Sequence, residues 1–511
     1  NALKEKFFAS SERDEFQRMI FRAAGDDNYP AAHHSENEGS AHLRDDYIQM
    51  LAKNDGLALD VRTSERCIVY LNGEYWGVYS FREKTDVHDF TDFYYNQGKY
   101  DIQYQMTWGN TWSEYGGDPT LDAWSDLRDL AEDHDLTIDS NYKKVTDQLD
   151  VYSLIDYMCV NTSAVCKDWL VYNTAVWRGF NPEGTHQKWG YTLWDLDATF
   201  GFYINYSGVP EVGPTALPCD VDEYNPAFFG PGFFDGEGHV RLMNDLRTNA
   251  EFEQFYLSRY TDLYNTTFSC ENMLNSLDSM MAIIEPEMNQ HADRWYGTYE
   301  EWYDNFSNLR TWVEDRCELL YTGMSDCYEL TGPYDVVFNV DPPEAGYLKV
   351  NTLTHHDLPW TGTYFGGMDN KLVAYSNNPA LYVFDHWEAT AATFTPGWDS
   401  TGTVISENDA ITAIFRTPTG IENIVQIPLS VYPSVFDDAV IINFELTEGA
   451  TVSFDLYSVN GERIATKLVG NNVSGAQFIS WDLTSYNLAS GMYIIKFNAD
   501  EHTQTIKVIK Q

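Results

Sequence analysis

A chain of 511 residues exceeds what one compact core holds, and length alone predicts two to four domains. Hydrophobic residues at 43% and aromatics at 15% exclude a disordered polymer, and a formal net charge of −46 argues against binding nucleic acid or an anionic membrane. No apolar run reaches 18 residues, so no helical membrane span is expected, and any nucleotide would need local cations or Mg²⁺ against that field.

In chain order, FQRMIFRAAG (16–25) reads as a strand closing on glycine, and AHLRDDYIQMLAK (41–53) as a helix. RCIVYLNGEYWGVYSF (66–81) reads as a hairpin turning at Asn72-Gly73. Helical patterns cover 119–133 and 141–164, a second hairpin runs from Asn173 to Trp194 around NPEG, and helices dominate 239–320. Beyond about residue 330 short alternating runs take over. The expected organisation is an α+β domain over 1–330 followed by two small all-β, sandwich-like modules at 332–417 and 426–511, with TPTGIEN (417–423) as linker. The chain opens at Asn1 without Met or a signal peptide, which suggests a mature, trimmed or partial form. Seven cysteines show no CxxC spacing and leave at least one thiol unpaired; Cys317 and Cys327 are the expected local pair in an oxidising compartment.

Two short stretches carry candidate chemistry. In CKDWLVYN, Asp168 precedes Asn173 by five positions, between a helix and a strand pair. Protein kinases use this spacing to bring a proton-accepting Asp and a metal-binding Asn onto one phosphoryl group. Downstream, WDLDATFG places Asp195 and Asp197 after the hairpin, on one face if the chain is extended. A carboxylate–amide set without His or Cys suits Mg²⁺. Taken singly, each motif also fits a polar turn, and it is their order that favours chemistry. Upstream, Arg22 stands where a kinase has its phosphate-binding cation, Asp45 is its expected partner on the following helix, and Glu83 and Lys84 fall at the expected nucleotide hinge. No Gly-rich loop precedes Arg22.

With MIFRAAGDDN (19–28), LRDDYIQMLA (43–52), VYLNGEYWGVYSFREKTD (69–86), DWLVYNTAVW (168–177) and WDLD in family order, the first 330 residues resemble the CotH (spore coat protein H) kinase family of secreted atypical kinases. That resemblance implies a reduced kinase-like fold and transfer of phosphate from ATP to proteins with Mg²⁺ or Mn²⁺. It casts Asp168 as the catalytic Asp, Asn173 and Asp195 as metal ligands and Asp197 as a companion ligand, and it places part of the family's N-terminal segment ahead of Asn1. Residues 335–416 resemble bacterial extracellular repeat modules through Phe384 to Trp387 and Ile411 to Phe415, aromatics read here as core. The last 85 or so residues are similar to the C-terminal sorting domain of the type IX secretion system, carried by VYPS, DLYSVNGERI, LASGMYIIKF and TIKVIKQ. The implied partner is the type IX machinery, and the implied place is outside the cell or on the outer-membrane surface of a Gram-negative bacterium. Two further readings stand beside the kinase: an inactive kinase-like surface or adhesion protein, and a carbohydrate-binding surface protein suggested by 15 Trp and 35 Tyr.

Overall fold

The structure, a computed structural model, describes residues 2–31, 35–220, 237–395, 397–418, 429–459, 463–486, 488–500 and 502–510. It divides into two compact units, residues 1–416 and 417–511. The expected linker falls at this division, and its residues 419–423 lie outside the described residues.

In the first unit β1 (Leu3–Lys4) pairs with β2 (Glu15–Phe16). β3 (Met19–Arg22) then leads, through a loop, into helix α1 (Arg44–Asn54). The hairpin β4 (Ser64–Leu71) and β5 (Glu74–Glu83) completes an antiparallel sheet of order β3-β5-β4. Helix α2 (His88–Tyr95) connects it to a second sheet, begun by β6 (Ile102–Trp108) and β7 (Asn110–Tyr115). The sequence reading has no strand there, although Ile102 to Trp108 alternates apolar and polar residues; six of the seven are buried, Gln103 and Gln105 included, so the alternation does not mark a solvent face.

Three helices follow: α3 (Asp118–Glu132), α4 (Asp139–Thr146) and α5 (Val151–Ser163). The single helix expected over 141–164 is therefore two. Asp150 breaks it, because its carboxylate accepts the Tyr152 and Ser153 N–H groups and starts a new helix. The strands β8 (Thr174–Gly179) and β9 (Gly190–Leu193) close the second sheet in the order β7-β6-β8-β9. Helices α6 (His239–Arg247), α7 (Ala250–Asn265), α8 (Cys270–Arg294) and α9 (Tyr299–Tyr328) pack with α1, α3 and α5 around one core that contains Trp124, Trp169, Trp189 and Trp302.

Two disulfides form, Cys219–Cys327 and Cys270–Cys317, so the expected Cys317–Cys327 pair is overturned. Both of those cysteines lie on α9. Ten helical residues separate Cα atoms by about 15 Å, beyond the roughly 7 Å a disulfide spans. Cys67, Cys159 and Cys166 are free thiols.

The chain passes from α9 straight into β10 (Thr331–Asp341), which opens an all-β module inside the first unit. Its strands are β11 (Gly346–Val350), β12 (Leu353–His355), β13 (Trp360–Gly366), β14 (Asn370–Ser376), β15 (Val383–Glu388), β16 (Ser400–Thr403) and β17 (Asp409–Arg416). They form sheets of order β13-β10-β17-β15 and β12-β11-β14-β16 over a core of Val336, Phe338, Leu348, Trp387 and Phe415. This module is docked, not strung out. Phe365 and Met368 belong to the helical core, Asn265 exchanges two hydrogen bonds with the Thr363 backbone (2.8 and 2.7 Å), and Asp262 accepts from the Thr352 N–H at 2.7 Å. Gln254 does for the Asp369 backbone what Asn265 does for Thr363.

The described residues of the second unit form strands, with one 3₁₀ turn at Thr484–Tyr486. The strands are β18 (Leu429–Tyr432), β19 (Val435–Phe436), β20 (Ala439–Ser458), β21 (Arg463–Asp482), β22 (Gly491–Ala499) and β23 (His502–Lys510). The sheet order is β18-β20-β22-β23-β19, with β21 on β20, and Phe444, Phe454, Trp481 and Phe497 lie at its centre.

The 47-residue separation of Cys270 and Cys317 gives a measurable expectation. Replacing both by Ser should lower unfolding free energy by about 4 kcal/mol in chain-entropy terms, read by denaturant titration under non-reducing conditions.

Candidate functional site

The site begins where α5 ends. Residues 164–173 form a buried loop in which Val165, Leu170 and Asn173 have left-handed backbone, with φ of 48°, 70° and 51°. A β-branched residue at positive φ is rare, so the surroundings must hold it there. Trp169, buried, is clamped by Ser207, whose Oγ accepts from the Trp169 N–H and donates to its carbonyl. Lys167 donates to the carbonyls of Gly201 (3.2 Å) and Tyr203 (2.6 Å), which ties the loop to the segment after β9. Asn173 Nδ2 donates to both the carbonyl and Oδ2 of Asp168, each at 3.0 Å. The five-residue spacing thus becomes a contact.

β9 stops at Leu193, so Asp195 and Asp197 are not on an extended strand as the period-two argument requires. Asp195 is left-handed at φ 54°, and the turn it makes still sends both carboxylates to one place. Arg22 Nη2 bonds Asp195 Oδ1 and lies 2.5 Å from Asp197 Oδ2, which also accepts the Asp26 N–H at 2.8 Å. Asp45 reaches the same segment by accepting the Leu196 N–H at 2.8 Å, but its close cation is Arg82, with Arg22 Nε at 3.9 Å. Glu83 is fully buried and bonds Arg13 (3.1 Å) and the Tyr94 hydroxyl, and Lys84 pairs with Asp86. Of the eight residues singled out from the sequence, Arg22, Asp45, Asp168, Asn173, Asp195 and Asp197 converge, whereas Glu83 and Lys84 belong to separate ion pairs.

Electrostatics follow from burial. Burial, with Asp195 next, raises the Asp168 carboxyl to about 7. Asp197 is raised well above the usual range by burial, against the pull of Arg22, and burial with Asp195 also raises Asp26. Asp45 is held low: its burial is outweighed by Arg82 and Arg22. Burial pushes the Lys167 ammonium down to about 8. Asp168 Oδ1, Asn173 Oδ1 and Asp197 Oδ1 are buried oxygens without a hydrogen-bond partner. Such a donor set fits a hard divalent cation, which takes carboxylate and amide oxygens. Among the described residues no group of three or more His, Cys, Asp or Glu is already gathered around one point, and the Arg22 guanidinium sits between Asp195 and Asp197.

A family model described as CotH kinase protein matches residues 12–320, more than half of the chain. The chain belongs to this family. The matched span contains every site residue of the CotH domain named above. A second model, the secretion system C-terminal sorting domain, matches residues 430–511 and marks a type IX sorting segment, which implies a secreted or cell-surface protein. No curated protein matches the chain.

Within the CotH domain, four residues near the cluster carry no role in the sequence reading: Asp26, Arg82, Lys167 and Tyr203. Asp26 and Arg82 lie in the quoted GDD and FRE stretches, so their neighbourhood was visible though their direction was not. Lys167 and Tyr203 act through backbone carbonyls and a hydroxyl, which leave no spacing signal.

Gly25 packs against the cluster at φ +59°, and a Cβ there would lie 2.2 Å from both Arg22 Nη2 and Asp197 Oδ2. Gly25→Ala should cost about 2–4 kcal/mol, whereas Gly39→Ala, at φ +89° with open space around it, should cost only the backbone strain of about 1 kcal/mol. Paired denaturant melts of the two variants check this.

Proposed function

We propose that this protein is a secreted phosphotransferase that moves the γ-phosphoryl group of ATP to Ser or Thr hydroxyls of extracellular or surface proteins, with Mg²⁺ or Mn²⁺. The observation that carries this reading is Asp168: a partly buried carboxylate whose Oδ2 accepts from Asn173 and whose Oδ1 is buried without a partner, raised to about 7 by burial and by the nearby Asp195 charge. A base whose pKa lies near the working pH combines the right protonation state with useful driving force. Asp168 would take the hydroxyl proton as the Ser or Thr oxygen bonds to phosphorus and ADP departs. Asn173, Asp195 and Asp197 would hold the divalent ion, which supplies charge neutralisation at the phosphates when bound. Arg22 would orient Asp195 and Asp197 and add positive charge beside them.

The same guanidinium favours a second reading, a kinase-like surface protein without turnover, because it already neutralises the acidic pair. The two separate in one assay. Transfer of labelled phosphate from ATP to an extracellular protein pool should fall by about 10²–10⁴-fold in Asp168→Asn. Absence of transfer by the unaltered chain, together with an unchanged melting temperature on adding ATP and Mg²⁺, would remove the first reading and favour the second.

The protonation state gives an independent check. Because Asp168 must be ionised to accept a proton, kcat/KM should rise with pH through an acid limb near 7. In Asp195→Asn, which removes the neighbouring charge that raises Asp168, that limb should move to lower pH.

A further inference from the structure

A polar pocket whose lining includes none of Asp168, Asn173, Asp195 and Asp197 lies beside α1. It encloses about 280 Å³ between α1, β4 and α8, with Met280 and Ile283 as its apolar wall. Arg62, Ser64 and Arg66 lie at alternate positions, and all three line it, facing Lys53 on α1. Thr63 and Ser10 add hydroxyls, and Glu65 is the one acidic residue on its wall. In a chain with 32 Lys and Arg against 78 Asp and Glu, three cations around one small pocket are a departure from the local average.

The cations are incompletely matched. Lys53 Nζ donates to Thr63 Oγ1 (2.6 Å) and Ser10 Oγ (3.1 Å), both neutral. The side chain of Arg62 is 6% exposed, its Nε has no hydrogen-bond partner, and its closest carboxylate, Asp86, is 3.8 Å away. Arg66 Nη2 lies 2.8 Å from Asp46, whereas its Nη1 is buried and without a hydrogen-bond partner. Asp46 is shared with Arg82. Leaving guanidinium N–H groups buried and unpaired costs free energy that an oxyanion would recover, and guanidinium donors suit the oxygens of phosphate. Burial lowers the pKa of Lys53, Arg62 and Arg66, the direction expected for cations short of counter-charge.

We infer that this pocket binds a phosphate-class oxyanion, with Lys53, Arg62 and Arg66 as charge partners and Ser64 and Thr63 as hydroxyl contacts. Its source is either free phosphate or the phosphomonoester of a modified protein side chain. The site is separate from the proposed transfer site but linked to it by Gln49. That side chain lines the pocket, accepts the Arg62 N–H at 2.9 Å and donates to the Leu193 carbonyl at 3.3 Å, just before WDLD.

The test is calorimetric titration of the full chain with inorganic phosphate, and in a parallel arm with a phosphoserine peptide, in chelator and at constant ionic strength. Saturable 1:1 binding is expected in at least one arm, and the arm that binds more tightly identifies the source. Lys53→Met, on a half-buried side chain whose loss leaves no carboxylate stranded, should weaken binding about tenfold or more. Ser64→Asp, which places a carboxylate in the pocket, should abolish binding while the circular dichroism spectrum stays unaltered. Asp168→Asn should bind phosphate like the unaltered chain, so failure of the transferase reading would not touch this one. Absence of saturable heat in both arms up to about 10 mM ligand, or binding equally tight in both pocket variants, would overturn the inference.

Discussion

The first unit depends on a lattice of buried arginines and carboxylates. Arg82, almost without exposure, bonds Asp45 and lies 2.5 Å from Asp46, while Arg22 joins Asp195 to Asp197. Through these contacts β3, β5, α1 and the WDLD turn become one body. Such pairs add little net stability against well-packed apolar residues, yet removal of one partner strands a buried charge at a cost of about 3–5 kcal/mol. They therefore fix arrangement more than they add strength.

Much of this was legible in the order of residues. The NG hairpin and the helix over 41–53 rest on local signals that tertiary structure did not override, whereas the strand expected over 16–25 narrows to Met19–Arg22, with Phe16 ending β2. Asp168 and Asn173 were readable because five residues in a tight loop leave few ways for the two side chains to miss each other. Asp195 and Asp197 were found for an incomplete reason. The pairing was expected from extended geometry, but a left-handed Asp195 and a remote arginine produce it.

Elsewhere the sequence was silent because the deciding partner is far along the chain. Asp45 looked like the mate of Arg22, and only folding brings the nearer Arg82, 37 residues away, to it. Glu83 stands beside the expected hinge, and the Arg13 that pairs with it lies 70 residues away, so that contact could not be read from its neighbours. The cysteines show the same limit. Neighbours in sequence on α9 are kept apart by helical rise, and the bonds close instead across 108 and 47 residues.

The manner in which the module at 331–416 is seated changes what counts as a part. Phe365 and Met368 fill the helical core, and Asn265 and Gln254 bind its backbone as a neighbouring strand would. A shortened chain ending at Leu330 would keep every residue of the proposed chemistry and lose two side chains from its own interior. The family match ends at residue 320, whereas the compact unit runs on to residue 416, so in this chain the packing draws a wider boundary than the chemistry does.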